Sequence, residues 1–169
     1  KGGKEDESMI YGWIIGGLAA LDLGVKSVVE GQEDDTFPRE LPSAKGFIKL
    51  HKNHNSGFPF GFMKERPELV KGIPLMVISA MAGALAAMMP DKGKTGEKLG
   101  LSLVMGGALS NLYDRVVRGY VVDYFTIEWK SLKKVVFNLG DMFVFLGSAV
   151  FVLTQAVKSL EEAGVKKKK

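Results

Sequence analysis

The chain has no cysteine among its 169 residues. It therefore has no disulfide framework, no thiolate zinc site and no cysteine nucleophile. Its two histidines, His51 and His54, share one short stretch without a clustered set of carboxylates, so we expect neither a bound metal nor a cofactor. No segment combines a basic start, a short apolar run and a small-residue cleavage site, so we expect no cleavable secretion signal.

Charge is also scarce in four apolar windows of the chain. They cover residues 9–29, 72–89, 99–113 and 135–157. Only Asp22, Lys26 and Asp141 lie inside them, and the connectors hold the rest of the 23 basic and 19 acidic residues. A mean hydropathy of +0.08 hides this division. The layout excludes a disordered chain and disfavours a nucleic-acid-binding protein with a spread basic surface.

This alternation of apolar windows and charged connectors predicts an all-α integral membrane protein, formed as a single domain over residues 1–169. We expect four transmembrane helices, at residues 9–29, 72–89, 99–117 and 135–157. The alternative is a soluble helical bundle with a core rich in alanine and glycine. The second window favours the membrane, because 18 consecutive uncharged residues are rare in a soluble helix.

Small residues recur at four-residue spacing inside the windows, a pattern that lets helices approach closely in lipid. The pairs are Gly12 with Gly16, Gly16 with Ala20, Ser79 with Gly83, Gly83 with Ala87, and Gly106 with Ser110. We therefore expect helix contacts along these stripes.

The long connector at residues 30–69 is the expected place of a small extracytoplasmic β-sheet, between helices 1 and 2. Apolar and polar residues alternate over 47–51, which is typical of a strand. The run Asn55-Ser56-Gly57 predicts a turn directly after it.

Basic residues set the expected orientation. Four spans put both termini and the link at 90–98 on one side, and these short flanks are rich in lysine. The positive-inside rule places that side in the cytoplasm. The connectors 30–69 and 115–134 then face outward, although the second one also carries basic residues.

Two acidic residues are the candidates for chemistry. Asp141 lies within the fourth apolar window, where a carboxylate facing hydrocarbon would cost about 2.5–3.5 kcal/mol. It must face the bundle interior or a wet cavity, either for function or only to hold helices together. Asp123 follows the third span, and it meets Asp141 at the outward face if residues 124–134 turn back. Two neighbouring carboxylates share a proton and supply one acid and one base, whereas a lone Asp123 would be an interfacial charge.

Further polar residues share these segments. Asn138 precedes Asp141 by three positions, so both project from one helix face, and an asparagine there can fix a carboxylate rotamer. Asn111 and Asp114 lie near the end of the third window. Arg115 is adjacent to Asp114 and cannot face it on a helix. It either reaches another carboxylate or anchors the helix at the membrane interface.

The segments GGALSNLYDRVVRGYVVDYF and FNLGDMFVFLGSA resemble two boxes of the lipoprotein signal peptidase family, also called signal peptidase II. The family pattern runs Gly-Gly-Ala-x-Gly-Asn-x-x-Asp-Arg into Gly-x-Val-x-Asp-Phe, then Phe-Asn-x-Ala-Asp. Residues 22–26 and 55–57 resemble two further boxes. In the box at residues 22–26, Val25 replaces a hydroxyl residue of the family pattern. After the box at residues 55–57, Phe58 and Pro59 stand where the family has small alanines.

The resemblance implies a membrane aspartic endopeptidase with four transmembrane helices in the bacterial inner membrane, its active site towards the outer face. Such an enzyme removes the signal peptide from diacylglyceryl-modified prolipoproteins and cuts just before the lipid-bearing cysteine. Its partners would be that prolipoprotein and membrane lipids, and we expect it to act as a monomer without a cofactor.

The resemblance also assigns roles to individual residues. The catalytic pair would be Asp123 and Asp141. The residues that bind substrate or position the pair would be Asn55, Gly57, Asn111, Arg115 and Asn138. Structural roles fall to Asp22 and Lys26, expected as an ion pair at a helix end, and to Asp114.

Two other functions stay open. The departure at residues 58–59 is compatible with a catalytically silent relative that binds lipidated peptides. A small proton-coupled transporter could use Asp141 as a proton relay.

Overall fold

The computed structural model describes residues 2–58 and 61–166. Pro59, one of the two departures from the family pattern, lies outside the described residues. Within them the chain forms four α-helices: α1 (Gly2–Glu30), α2 (Pro67–Met88), α3 (Thr95–Val117) and α4 (Leu139–Lys166). One antiparallel sheet, ordered β1-β2-β3, contains β1 (Arg39–Glu40), β2 (Ile48–Asn55) and β3 (Val121–Ile127).

Helix α3 lies at the centre of the helical part and packs against α1, α2 and α4. Three helices in the described part of the chain are long and apolar enough to cross a membrane: Ser8–Glu30, Pro67–Met88 and Leu139–Gly164. The span predicted at 99–117 is not among them. Its helix is less apolar because the face that it buries carries glycine, serine and charged residues.

The outer faces of the other three helices are apolar and exposed. Trp13 on α1 and Leu160 on α4 are 78% and 73% exposed, and Met76 on α2 is 65% exposed. Extended apolar surface of this kind marks a face that contacts lipid or another protein. It supports the membrane protein over the soluble bundle that the composition left open.

The glycines in contact are mostly not those of the predicted stripes. A Cβ atom on Gly12, Gly16 or Gly83 would meet nothing within 4 Å, so for these the prediction of close helix contact was wrong. Gly106 does approach α1, where a Cβ would lie 2.9 Å from Leu18 Cβ. The four-residue pattern alone does not say which helix face has a neighbour.

The closest helix contact is between α3 and α4, which run antiparallel. Gly100 faces Gly147, and a Cβ on Gly107 would clash with the carbonyl oxygen of Gly140. These contacts bring the backbone of α4 directly against α3. They set the depth at which the start of α4 sits beside the middle of α3.

The sheet differs from the prediction in its third strand. The strand predicted at 47–51 is confirmed as β2, and β1 lies in the same connector. However, β3 follows α3, so the sheet joins both connectors rather than the first alone. β-branched and aromatic residues dominate the segment VVDYFTI, which is the usual composition of a strand.

Helix α4 begins later than the predicted residue 135. Residues Lys130–Lys134 form a 3-10 helix, and Phe137 then pairs with Phe125 of β3 through backbone hydrogen bonds in both directions. This pairing keeps residue 137 extended. Asp141 therefore lies in the first turn of α4 rather than deep inside an apolar span.

Replacing Gly147 by alanine should weaken the α3–α4 contact. The new Cβ would lie 2.5 Å from the Gly100 carbonyl oxygen and 2.7 Å from the Val104 nitrogen, both rigid backbone atoms. We expect a loss of about 1–3 kcal/mol in the free energy of unfolding, measured by denaturant titration in detergent.

Gly83→Ala is the matched control, because its Cβ meets open space in a helix interior. Alanine there should leave stability unchanged or raise it by up to about 1 kcal/mol. Equal losses for the two variants would contradict the packing described.

Candidate active site

Asp123 lies in the middle of β3, where the register of the sheet decides its neighbours. A β-bulge between Leu50 and Asn53 of β2 places Asn53 opposite Asp123. From the end of the same strand, Asn55 Nδ2 donates to Asp123 Oδ2 at 3.3 Å. Asp123 is only 5% exposed, so its carboxyl group is held among protein groups rather than in open solvent.

Asn138 connects the two aspartates. It immediately precedes α4, and its Oδ1 accepts from the backbone N–H of Asp141 at 2.9 Å, while Asp141 Oδ2 accepts from the N–H of Asn138 at 3.2 Å. This reciprocal pair is a capping box. The remaining Asn138 amide group, Nδ2, donates to Asp123 Oδ1 at 2.8 Å. The helix cap thus fixes Asp141 and holds Asp123 beside it.

Helix α3 contributes Asn111 and Arg115 from the opposite side. Asn111 Nδ2 donates to Asp141 Oδ1 at 3.0 Å. Arg115 donates to two backbone carbonyl oxygens, those of Asn111 at 3.2 Å and Gly57 at 3.3 Å. Its Nε–H is buried and has no hydrogen-bond partner among the described residues.

The predicted turn after β2 is present. The N–H of Gly57 donates to Asn55 Oδ1 at 3.1 Å, so Asn55 closes the turn with one amide atom and contacts Asp123 with the other. The Gly57 backbone lies against the 61–62 backbone, where a Cβ would be 2.7 Å from the Phe62 carbonyl oxygen. Only glycine fits at this crossing of two backbone segments.

Behind these residues lies a fully buried charge cluster. Lys26 Nζ is 2.8 Å from Asp22 Oδ2 and 3.0 Å from Asp114 Oδ2, with all three side chains excluded from solvent. It also donates to Ser110 Oγ at 3.1 Å and to Asn111 Oδ1 at 2.7 Å. The expected Asp22–Lys26 pair is therefore part of a larger cluster in the protein interior.

This cluster reaches the candidate dyad along two routes. Lys26 holds the Asn111 carbonyl oxygen, which turns the Asn111 amide nitrogen towards Asp141. On the second route, the Tyr124 hydroxyl donates to Asp22 Oδ1 and accepts from the N–H of Leu139, both at 2.9 Å. The first residue of α4 is thus tied to α1 through Tyr124.

The electrostatics of Asp123 favour its protonated form. Burial raises the pKa of its carboxyl group, and the negative charge of Asp141 adds to the rise, while hydrogen bonds from Asn138 and Asn55 oppose it. The result is a pKa of about 6 for Asp123. Asp123 is therefore about half protonated near pH 6, and a carboxyl group that keeps its proton there can act as a general acid.

Both aspartates line one cavity of about 630 Å³ that opens beside the sheet. Its walls come from β2, the loop after it, α3, β3 and the start of α4. The lining combines the aspartates and asparagines with apolar side chains such as Val136, Phe137 and Phe145. The cavity thus places apolar side chains next to the two carboxyl groups.

Every site residue predicted from the sequence lies around this cavity or in the buried charge cluster behind it. Asp123, Asp141, Asn55, Asn111, Arg115 and Asn138 meet around the cavity, with Gly57 bonded to Arg115. The cluster behind them contains Asp22, Lys26 and Asp114. Asp114 also pairs with Arg118 and accepts from the N–H of Val122, so it fixes the start of β3.

Two residues that take part in the buried cluster, Tyr124 and Ser110, were not predicted from the sequence. Tyr124 stands next to Asp123 in a strand, where neighbours face opposite sides, so proximity in the chain would not have nominated it. Ser110 was read only as a small packing residue. Its Oγ donates to Asp22 Oδ2 at 2.5 Å and accepts from Lys26. A polar side chain next to Asn111 in an apolar window was the available signal.

Comparison with known proteins places this chain in a family. The sequence pattern of the family described as "Signal peptidase (SPase) II" matches residues 14–157. Proteins named lipoprotein signal peptidase from Brucella ovis and Brucella melitensis are each 32% identical over 142 residues, covering 80% of this chain and 82% of the relative.

Two solved structures share the fold. Both are described as bacterial membrane enzymes determined in meso, and each gives a TM-score of 0.72. One is 20% identical and covers 95% of this chain and 93% of its own, and the other is 19% identical and covers 86% and 92%. At this identity they support the arrangement of helices and sheet alone.

Replacing Lys26 by methionine should strongly destabilise the protein. It would leave Asp22 and Asp114 buried without their cation, and breaking a buried pair in this way costs about 3–5 kcal/mol. Denaturant titration in detergent measures the loss, and adding Asp22→Asn should recover part of it, because one buried charge is removed.

Lys94→Met is the control for this substitution. Lys94 also pairs with an aspartate on its own segment, Asp91, but their side chains are 43% and 50% exposed. We expect little change in stability there, because water solvates the partner that remains. A similar loss in both variants would mean that the buried cluster does not hold the fold together.

Proposed function

The chain belongs to the signal peptidase II family, whose peptidases remove signal peptides from prolipoproteins, and we propose that it performs this cleavage with Asp123 and Asp141 as an aspartic dyad. The observation that carries the proposal is Asn138, which bonds to both aspartates from the cap of α4. It supports one shared site for two carboxyl groups that lie far apart in the chain.

The proposed reaction is attack of water on the peptide carbonyl just before the lipid-bearing cysteine. The ionised aspartate takes a proton from the water molecule as its oxygen bonds to the carbonyl carbon. The protonated aspartate gives its proton to the carbonyl oxygen. As this tetrahedral intermediate collapses, the dyad gives a proton to the departing amine and the carbon–nitrogen bond breaks. One hydroxyl group of the intermediate returns its proton to the dyad, which leaves a carboxylic acid. Asp123, with its pKa of about 6, is suited to be the carboxyl group that holds the proton.

The neighbouring polar groups would position the reactants. Asn111 and Asn138 fix the rotamers of the aspartates, and Asn55 assists at Asp123. Arg115 lines the cavity, and its guanidinium group would donate to a backbone carbonyl of the bound peptide. Orientation of this kind lowers the barrier because the reacting groups need not be ordered during the reaction.

We place the protein in the bacterial inner membrane with four spans, α3 being the third. Helix α3 is about 34 Å long, which suffices to cross the apolar core, and the other three helices pack against it. The lysine-rich termini and the 90–98 link would be cytoplasmic, with the sheet and the cavity at the outer face. One chain suffices to bring these side chains to one cavity, so we propose a monomer as the active form.

Asp123→Asn and Asp141→Asn should each lower kcat by about 10²–10⁴-fold, because either change removes the acid or the base. Cleavage of a diacylglyceryl-modified precursor by purified protein, followed by a gel shift, measures this. Asp34→Asn is the matched control: Asp34 pairs with Lys52 on the outer connector and is 88% exposed. Its activity should equal that of the wild type.

Full cleavage by either purified dyad variant would reject the dyad. Wild-type protein that binds the lipidated precursor but never cleaves it would favour a silent binding protein. Proton flux into vesicles that survives loss of Asp123 would favour a transporter.

The pH dependence follows from Asp123. The value of kcat/KM should fall as pH rises through about 6, because the dyad then loses the proton that the reaction needs. Asn55→Ala should move this fall to higher pH, since the Asn55 hydrogen bond lowers the pKa of Asp123. The protonated carboxyl group also stabilises the fold at acid pH, a contribution lost through the same range.

A pH–rate profile of wild type and Asn55→Ala in detergent measures both effects. A profile without an inflection between pH 5 and 7, or a shift of Asn55→Ala towards lower pH, would contradict this account of Asp123.

A further inference from the structure

The cavity that contains the dyad has a basic rim, which we define as Lys64 and Lys134. Lys64 lies in the loop between β2 and α2, and Lys134 ends the 3-10 helix between β3 and α4. Both side chains line the cavity and both residues are exposed. The rim thus approaches the cavity from two separate connectors.

Neither rim lysine has an acidic partner within the described part of the chain. Other lysines of the protein do: Lys49 pairs with Glu128, and Lys52 with Asp34. Among the described residues that line the cavity, the dyad supplies the only carboxylates, and Arg115 adds a third cation. These three cations outnumber the two carboxylates, so the described lining of the cavity has a net positive charge even when both aspartates are ionised.

We propose that this rim selects an acidic side chain among the residues of the substrate that follow the cut, an inference that rests on the proposed function. The membrane orders the substrate: its signal peptide and its lipid lie in the apolar region. Only the residues after the cysteine come from the aqueous side, where the two connectors carry Lys64 and Lys134. An acidic side chain there would meet two unpaired cations.

The expected selectivity is modest and sensitive to salt. An exposed ion pair changes an equilibrium by at most about five-fold, and dissolved ions screen it. A cleft lined by one sign of charge adds to this by concentrating substrates of the opposite charge. The rim should therefore act on KM and leave kcat unchanged.

The test compares three diacylglyceryl-modified peptides that differ in one residue after the cysteine: aspartate, asparagine or lysine. Wild-type protein should cleave the aspartate peptide about 2–10-fold more efficiently than the asparagine peptide, and the lysine peptide least. The difference should lie in KM and shrink at high salt. Lys64→Gln with Lys134→Gln should abolish the preference and retain kcat.

Lys133→Gln is the matched control. Lys133 lies in the same 3-10 helix as Lys134 and is exposed, but it does not line the cavity. It should keep the preference for aspartate. Replacing both rim lysines by glutamate should reverse it, so that the lysine peptide is cleaved best.

Other results would overturn either the role of the rim or the proposed function. Equal cleavage of all three peptides by wild type would overturn the rim and leave the proposed function intact, whereas no cleavage of any peptide would overturn the proposed function itself. A rate that follows the content of anionic lipid in the vesicles, but not the charge of the peptide, would show that the lysines bind lipid headgroups and would overturn substrate selection.

Discussion

Lys26 Nζ lies within 3.1 Å of four oxygen atoms and is excluded from solvent. An ammonium group can be buried without a large loss of stability only when opposite charges and hydrogen bonds replace its water. Asp22 of α1 and Asp114 of α3 must therefore come together around Lys26. Asp22 then extends this arrangement to Tyr124 and the first turn of α4. Asp114 extends it to Arg118 and the start of β3.

Close backbone packing makes this cluster possible. Polar side chains from α1 and α3 span only a few ångströms, so the helices must approach closely. Gly106 meets α1, and Gly107 meets the Gly140 backbone at the start of α4. The glycines of α3 therefore bring helices together at the level where the charged side chains meet, which accounts for their presence in a helix that they would otherwise weaken.

The sequence predicted the elements better than their contacts. Apolar windows located the helices, and alternation located β2, because each depends on local periodicity. The start of α4 was misplaced because Phe137 is apolar yet pairs with β3, a contact between residues distant in the chain. The stripes at Gly12 and Gly83 were misjudged for a similar reason, since spacing shows that a helix can pack closely but not that a neighbour is present.

The residues of the site were nominated from sequence largely through resemblance to a family. Physical reasoning alone could flag Asp141, because a carboxylate in an apolar window is costly. It could not bring Asp123 to it, since that requires the register of β2 with β3 and the return of Phe137 to the sheet. Tyr124 escaped notice altogether, because an aromatic residue in a strand is ordinary until its hydroxyl group is seen between Asp22 and Leu139.

Within the described residues, Asp123 and Asp141 accept hydrogen bonds from asparagine side chains and not from charged ones, and this suits the candidate pair to acid–base chemistry. A lysine or arginine bonded directly to them would favour the ionised form of both carboxyl groups. The side-chain contacts are made instead by asparagines, which fix the geometry with weaker effects on protonation. Lys26 does not contact the pair itself but donates to Asn111 Oδ1, on the side of Asn111 that faces away from Asp141. Its charge is balanced by Asp22 and Asp114. Arg115 likewise donates to backbone carbonyl oxygens, so among the described contacts neither cation bonds directly to Asp123 or Asp141.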